Sequence, residues 1–276
     1  MKRKKRTAIF QWIIIALLIF IVLFPLYLVV INAFKPHADI VTNPISFPKS
    51  AFLDNFSKAW RTAGFSRGFF NSIRLVVTTA LIVLAASAFA GYALGTKRFT
   101  GKGLLLSYFL LAMTIPVQLF LFPLYGVFAK LDLIGNIYAV SFVIAAINIP
   151  LAVMLMRTFF VGVPMQLEES AMLDGANTRQ ILFQIIFPCV KPGFITVAVI
   201  VILNAWNEYL ISSTFLQGEK NFTATLGYLS LNGGSVTFDQ GMKMAGSLII
   251  VIPILIFFLS LQRYVVDGLT AGSVKE

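Results

Sequence analysis

Charge is what this chain has least of. Of 276 residues, 12% are charged and 58% are apolar, 27 of them phenylalanine. An ordinary soluble domain is excluded, because its surface needs more charge than that. Cysteine occurs once, at Cys189, so an internal disulfide is impossible; a small filler residue explains it better than reactivity. The lone histidine, His37, cannot build a histidine-based metal centre and reads as ordinary loop surface. There is no Gly-rich phosphate loop ending in Lys-Ser/Thr and no metalloprotease helix motif, so no nucleotide-hydrolysing or zinc-protease signature exists. Membrane segments lack paired carboxylates. Asn221-Phe-Thr223 fits a glycosylation sequon, but nothing else points to a glycosylated secretory protein, and chance explains it.

What is present is a series of long apolar runs. Residues 8–34, 75–96, 103–129, 133–156 and 244–262 are free of charge, and 192–218 holds only Glu208. About 20 mainly apolar residues cross a bilayer as a helix. Helices are required because lipid offers no partners to backbone groups, and these runs are far longer than barrel strands. The expected fold is therefore an all-α polytopic membrane protein with six transmembrane helices, at 10–34, 69–95, 104–128, 134–157, 192–216 and 243–263. The basic cytoplasmic N-terminus (1–9) contains Lys2-Arg3-Lys4-Lys5-Arg6. A signal peptide has a shorter apolar core, about 7–15 residues, so an uncleaved first helix is expected. The positive-inside rule puts this end in the cytoplasm without invoking nucleic acid. Six spans return the C-terminal tail (264–276) to the same side. The loop after the second span, with Lys97, Arg98 and Lys102 and no acid, agrees.

Outside lie two segments, 35–68 and 217–242. The first opens with Pro36, Pro44 and Pro48 and then predicts a short amphipathic helix from Leu53 to Trp60. The second is rich in Gly, Asn, Ser and Thr, with a turn at Gly233-Gly234. Prolines 25, 116, 123, 150 and 253 fall within spans, as gate hinges or as simple packing kinks. No internal repeat supports an inverted-repeat secondary transporter.

Between spans four and five, residues 161–191 form a polar segment. Pro164 suits the first position of a helix, and Glu168 and Glu169 favour its positive end. Met165, Glu169, Met172 and Ala176 recur at helical spacing as one apolar and acidic face. Gly175 suits the end of that helix. Asn177 with Gln180 predicts a capping arrangement for a second helix, which carries Ile181, Leu182, Ile185 and Ile186 towards the membrane and stops at Pro188. A pair of helices resting on lipid headgroups is the bland alternative.

The string Glu169-Ser170-Ala171-Met172-Leu173-Asp174-Gly175-Ala176, with Phe183, Ile186, Pro188 and Pro192, resembles the EAA motif of binding-protein-dependent ABC importer permeases. Ser170 stands where alanine is usual. Pro25-Leu-Tyr27, Asn32, Phe34-Lys35, Asn71-Ser72, Gly91-Tyr92-Ala93, Trp206-Asn207-Glu208 and Gly268-Leu-Thr-Ala-Gly272 resemble the carbohydrate branch and its maltose-type second permease. The resemblance implies one permease domain over about 69–263 and a cytoplasmic coupling helix docking in a cleft of a separate ATPase. Glu169 and Asp174 would make polar contacts there, Ala171 and Met172 would pack, and Gly175 would permit the turn. It implies two ATPase subunits, a second permease and an external solute-binding protein as partners. The permease itself would bind no cofactor and hydrolyse nothing; ATP and Mg would be used by the ATPase. Location in a bacterial-type cytoplasmic membrane follows.

Asn204, Asn207, Glu208 and Ser212 form a polar stripe in span five, with Gln118 and Asn148 as further pathway candidates. Polar groups beside Trp206 and Tyr209 suit a sugar. The competing reading is hydrogen bonding between helices, with Glu208 as a structural anchor. Sugar import is the expected function; glycerol phosphate or another small solute is the alternative cargo. An intramembrane enzyme lacks a catalytic set, and a channel or secondary transporter leaves the cytoplasmic helix unexplained.

Overall fold

A computed structural model describes the backbone of residues 2–231 and 239–271, and the side chains of 10–231 and 239–264. The basic N-terminal side chains, the Gly233-Gly234 turn and the 268–272 motif lie outside these side chains. The described elements are helical: α1 (Lys2–Ala33), α2 (His37–Thr42), α3 (Asp54–Thr62), α4 (Phe65–Thr96), α5 (Lys102–Ala112), α6 (Gln118–Lys130), α7 (Ile137–Val161), α8 (Met165–Leu173), α9 (Thr178–Gln180), a π-helical turn (Ile181–Ile186), α10 (Phe187–Cys189), α11 (Lys191–Asn207), α12 (Leu210–Phe215), a 3-10 turn (Glu219–Asn221), α13 (Ala224–Ser230) and α14 (Gln240–Ala271).

Four of these helices are long and apolar enough to cross a membrane: Phe10–Ala33, Phe65–Thr96, Ile137–Val161 and Gln240–Tyr264. A fifth span is available if Thr178–Cys189 and Lys191–Asn207, bent by 71°, are counted together. The chain from 104 to 128 is not one helix. It is α5 and α6, separated around Pro116, which has no N–H to donate and drives the preceding residue out of the helical region. Pro25, Pro123, Pro150 and Pro253 all sit inside helices instead. None of the most apolar 18-residue stretch of Phe10–Ala33 is buried within the chain, so lipid or another subunit must cover it.

The chain divides into two compact units. One comprises residues 1–66 and 227–253. Here the carbonyls left unpaired at the end of α1 are satisfied by a side chain: Asn55 Nδ2 on α3 donates to Ala33 O at 2.9 Å and to Lys35 O at 2.8 Å. The Lys35 side chain is buried, and its Nζ donates to the carbonyls of Asn43 at 3.2 Å and Pro44 at 3.4 Å. That burial pushes the Lys35 amine below the ordinary lysine pKa, with Asp39 opposing it. His37 is not idle surface. Its Nδ1 accepts from the backbone N–H of Gln240 at 3.2 Å, capping the start of α14. The helix expected at residues 53–60 is α3.

The other unit, residues 67–226 and 254–276, carries the polar features of interest. Helices α4 and α7 approach closely because glycine leaves no side chain between them. A Cβ on Gly91 would fall 2.7 Å from Met156 Cβ, and one on Gly95 would fall 2.7 Å from Phe160 Cβ. This is small-residue packing, four residues apart, as membrane helices use it. Around it an apolar core gathers Val83, Tyr92, Met156, Phe160, Ile181, Ile186 and Val197. Tyr92 stands edge-on to Phe160, with ring centres 5.7 Å apart.

Candidate functional site

The polar segment after α7 folds as its sequence suggests locally. Helix α8 begins just after Pro164 and ends at Leu173, with Asp174 as its cap and Gly175, whose φ is +81°, just beyond. The N–H of Gly175 donates to Met172 O at 3.1 Å, and that of Ala176 to Ala171 O at 2.9 Å. Those two bonds are a Schellman motif, which needs the left-handed conformation that glycine adopts freely. The next helix starts with a complete capping box. Gln180 N–H donates to Asn177 Oδ1 and Asn177 N–H donates to Gln180 Oε1, each at 2.9 Å. It does not stop at Pro188. It runs on to Cys189 through a π turn whose Ile181 and Ile186, five residues apart, are both buried.

The result is a short helix closed at its C-terminal end by backbone bonds, with one side bare. Glu169, Ser170, Met172, Asp174 and Gly175 are exposed, and Leu173 is 90% exposed. Among the described residues, neither Glu169 nor Asp174 has a side-chain ion pair or hydrogen bond. Ala171 is buried and Ala176 half-buried, so these two face the core. The apolar residues Met165, Leu167 and Phe183 add to the exposed side.

Glu168, assigned from sequence only to a helix-dipole role, has partners of its own. It is buried, accepts a hydrogen bond from Tyr92 Oη at 3.0 Å, and pairs with Lys97. The Lys97 ammonium also lies 5.0 Å from the Tyr92 ring centre. Burial alone would lower the Lys97 pKa, but its bonds to Glu168 and Tyr92 win and raise it. Sequence alone does not separate it from Glu169, because successive residues turn by about 100° around the helix and the direction that is covered depends on where α4 lies.

The second polar feature is a cleft of about 360 Å³, lined by Val117, Ile144, Ile147 and Leu203 together with Asn148, Asn204, Asn207 and Glu208. Asn204 Nδ2 donates to Asn148 Oδ1 at 2.9 Å, and Asn148 Nδ2 donates to Ile144 O at 2.8 Å. Two of the six pathway candidates stand apart. Gln118 is exposed at the first position of α6, and its neighbour Val117 reaches the cleft instead. Ser212 is fully buried. The stripe is not one helix face either, because α11 ends at Asn207 and α12 starts at Leu210. Glu208 caps α12: Oε1 accepts from Ile211 N–H at 2.6 Å, and Oε2 accepts from Ser212 N–H at 2.8 Å and Ser212 Oγ–H at 2.6 Å. A carboxylate at a helix start satisfies orphan amides and the dipole together.

Residues 87–270, which include α8, the cleft side of α11 and most of the core, match the family described as binding-protein-dependent transport system inner membrane component. The chain belongs to that family. It is 33% identical over 264 residues to a probable ABC transporter permease protein of Bacillus subtilis, covering 96% of this chain and 87% of that one. It is 31% identical to the arabinooligosaccharides transport system permease protein of Halalkalibacterium halodurans, covering 99% of each. The fold superposes on a solved bacterial ABC transporter involved in import of the acidic polysaccharide alginate, with TM-score 0.81, 20% identity, and coverage of 96% of this chain and 98% of that one. The protein is thus an all-α, multi-pass inner-membrane permease subunit of an ABC importer, a transport component and not a catalytic one.

Proposed function

We propose that this permease imports a carbohydrate, in the manner of the maltose-type second subunit, and that α8 is its coupling helix. In this reading the chain crosses the membrane six times, with α5 and α6 together forming the third span and α11 and α12 the fifth. Both termini are cytoplasmic. Two ATPase subunits use ATP and Mg; a second permease completes the pathway, and an external solute-binding protein delivers the cargo. The single observation that carries the coupling assignment is the state of α8: capped at its end, backed by Ala171, and presenting Glu169, Met172 and Asp174 with no partner from the described chain. Such a surface at the cytoplasmic side suits a soluble protein's cleft. The sugar assignment rests on the arabinooligosaccharide relative and on the cleft, where neutral amides sit against apolar side chains. That combination matches a molecule with hydroxyl edges and C–H faces.

In alternating access, closure of the ATPases would push α8, and the spans would turn the cleft from one side of the membrane to the other. Asn148, Asn204 and Asn207 are the pathway residues of this account, with Glu208 shaping their wall. The test is Glu169→Lys and, separately, Gly175→Pro, since proline cannot adopt a φ near +81°. Each is expected to abolish uptake and weaken co-purification of the ATPase while leaving membrane insertion intact. Normal uptake in both removes the assignment.

A further inference from the structure

Glu168 lies beside the proposed docking surface but takes no part in it. Its carboxylate is turned inward, to Tyr92 near the cytoplasmic end of α4 and to Lys97 just beyond it. Lys102 Nζ, at the start of α5, donates to Lys97 O at 3.0 Å and holds that short loop. The space beside this cluster is not packed. A cavity of about 240 Å³ is lined by Gly95 and Thr96 from α4, Phe160 from α7, and Met165 and Glu168 from α8. Where side chains do not fill the space between two elements, van der Waals contact transmits no displacement across it. The polar cluster bridges that gap.

We propose that Glu168 is a positioning residue for coupling. Its ion pair with Lys97 and its bond from Tyr92 make α8 move as one body with the cytoplasmic end of α4. A push on α8 then reaches the helix Phe65–Thr96 directly, and not only α7, to which α8 is joined by the chain. The inference rests on the reading of α8 as the ATPase-docking helix.

The Lys97 side chain is 41% exposed, so loss of its partner leaves an ammonium that water can solvate. Glu168→Gln is therefore a gentle variant: it keeps the side-chain shape and an acceptor for the Tyr92 hydroxyl while removing the charge. The experiment uses the complete importer, with its ATPases, second permease and binding protein, in liposomes. Solute imported per ATP hydrolysed is measured for Glu168→Gln and for Lys97→Met, alongside the ATPase retained on purification. Both variants are expected to retain the ATPase and to hydrolyse ATP, with import per ATP reduced about fivefold or more. Unchanged import per ATP in both overturns the proposal. So does a loss of import that only follows the amount of assembled complex, because Glu168 would then serve the fold alone. Failure of the docking reading shows elsewhere, as wild-type ATPase retention in Glu169→Lys.

Discussion

Replacing Glu208 by glutamine separates two roles that its sequence position leaves open. The carboxylate receives three hydrogen bonds, two from the backbone of α12 and one from Ser212 Oγ. Glutamine has one acceptor oxygen, and its amide nitrogen would face an N–H donor. At least one backbone bond must go, at about 1.5–3 kcal/mol for a bond to a charged acceptor. Loss of the negative charge at the helix start adds about 0.3–1 kcal/mol. The expected destabilisation is about 2–4 kcal/mol, concentrated on the Leu210–Phe215 helix. Alanine should cost more, because the amides of Ile211 and Ser212 belong to buried residues and would both lose their acceptor, and the Ser212 hydroxyl would lose the third bond. The assay is thermal melting of the purified assembly in nanodiscs, paired with uptake at a temperature where the variant remains folded. Glu208→Gln should melt clearly lower and, once folded, still transport. A wild-type melting curve with abolished uptake would refute the capping argument and make the carboxylate a solute ligand.

Gly91→Ala should destabilise by about 1–3 kcal/mol, the usual cost of overpacking, since its Cβ meets Met156 Cβ at 2.7 Å and the Arg157 backbone at 3.1 Å. Gly103→Ala, where no atom lies within 4 Å, is the control, and both are read as the yield of monodisperse protein after heating. The Lys97–Glu168 pair has a defined alkaline limit. The folded Lys97 pKa is raised above its ordinary value of 10.5, so its contribution is complete below that pH and is lost as pH climbs through the higher folded value. The stability gap between the wild type and Lys97→Met should accordingly be flat from neutrality to pH ~9 and close only above pH ~10.5.

Much of this was legible because lipid imposes simple rules. Long uncharged runs mark helices, and the bare sides of Phe10–Ala33 show why such composition suits no soluble fold. The end of α8 was readable from Gly175, and the following start from Asn177 and Gln180, because both motifs are local in sequence. What needed the fold depended on facing. Glu168 and Glu169 are chemically identical, and only the placement of α4 decides which one is buried. The Asn204 to Ser212 spacing looked helical because the carboxylate cap places α12 directly after α11; nothing in the apolar run announces the break. Gly91 matched a motif, but its physical reason lies on α7, some 65 residues away. His37 looked ordinary because its partner, the start of α14, is 203 positions distant.

In the proposed coupling, α8 bears against a separate ATPase on the cytoplasmic side. Site-specific cross-linking from Met172→Cys tests it most directly, in a Cys189→Ser background because Cys189 is an exposed free thiol. Met172→Cys is expected to cross-link to the ATPase subunit with a yield that changes between ATP-bound and nucleotide-free states. Cross-links to lipid alone, or labelling of that cysteine by a membrane-impermeant reagent added outside, would contradict it.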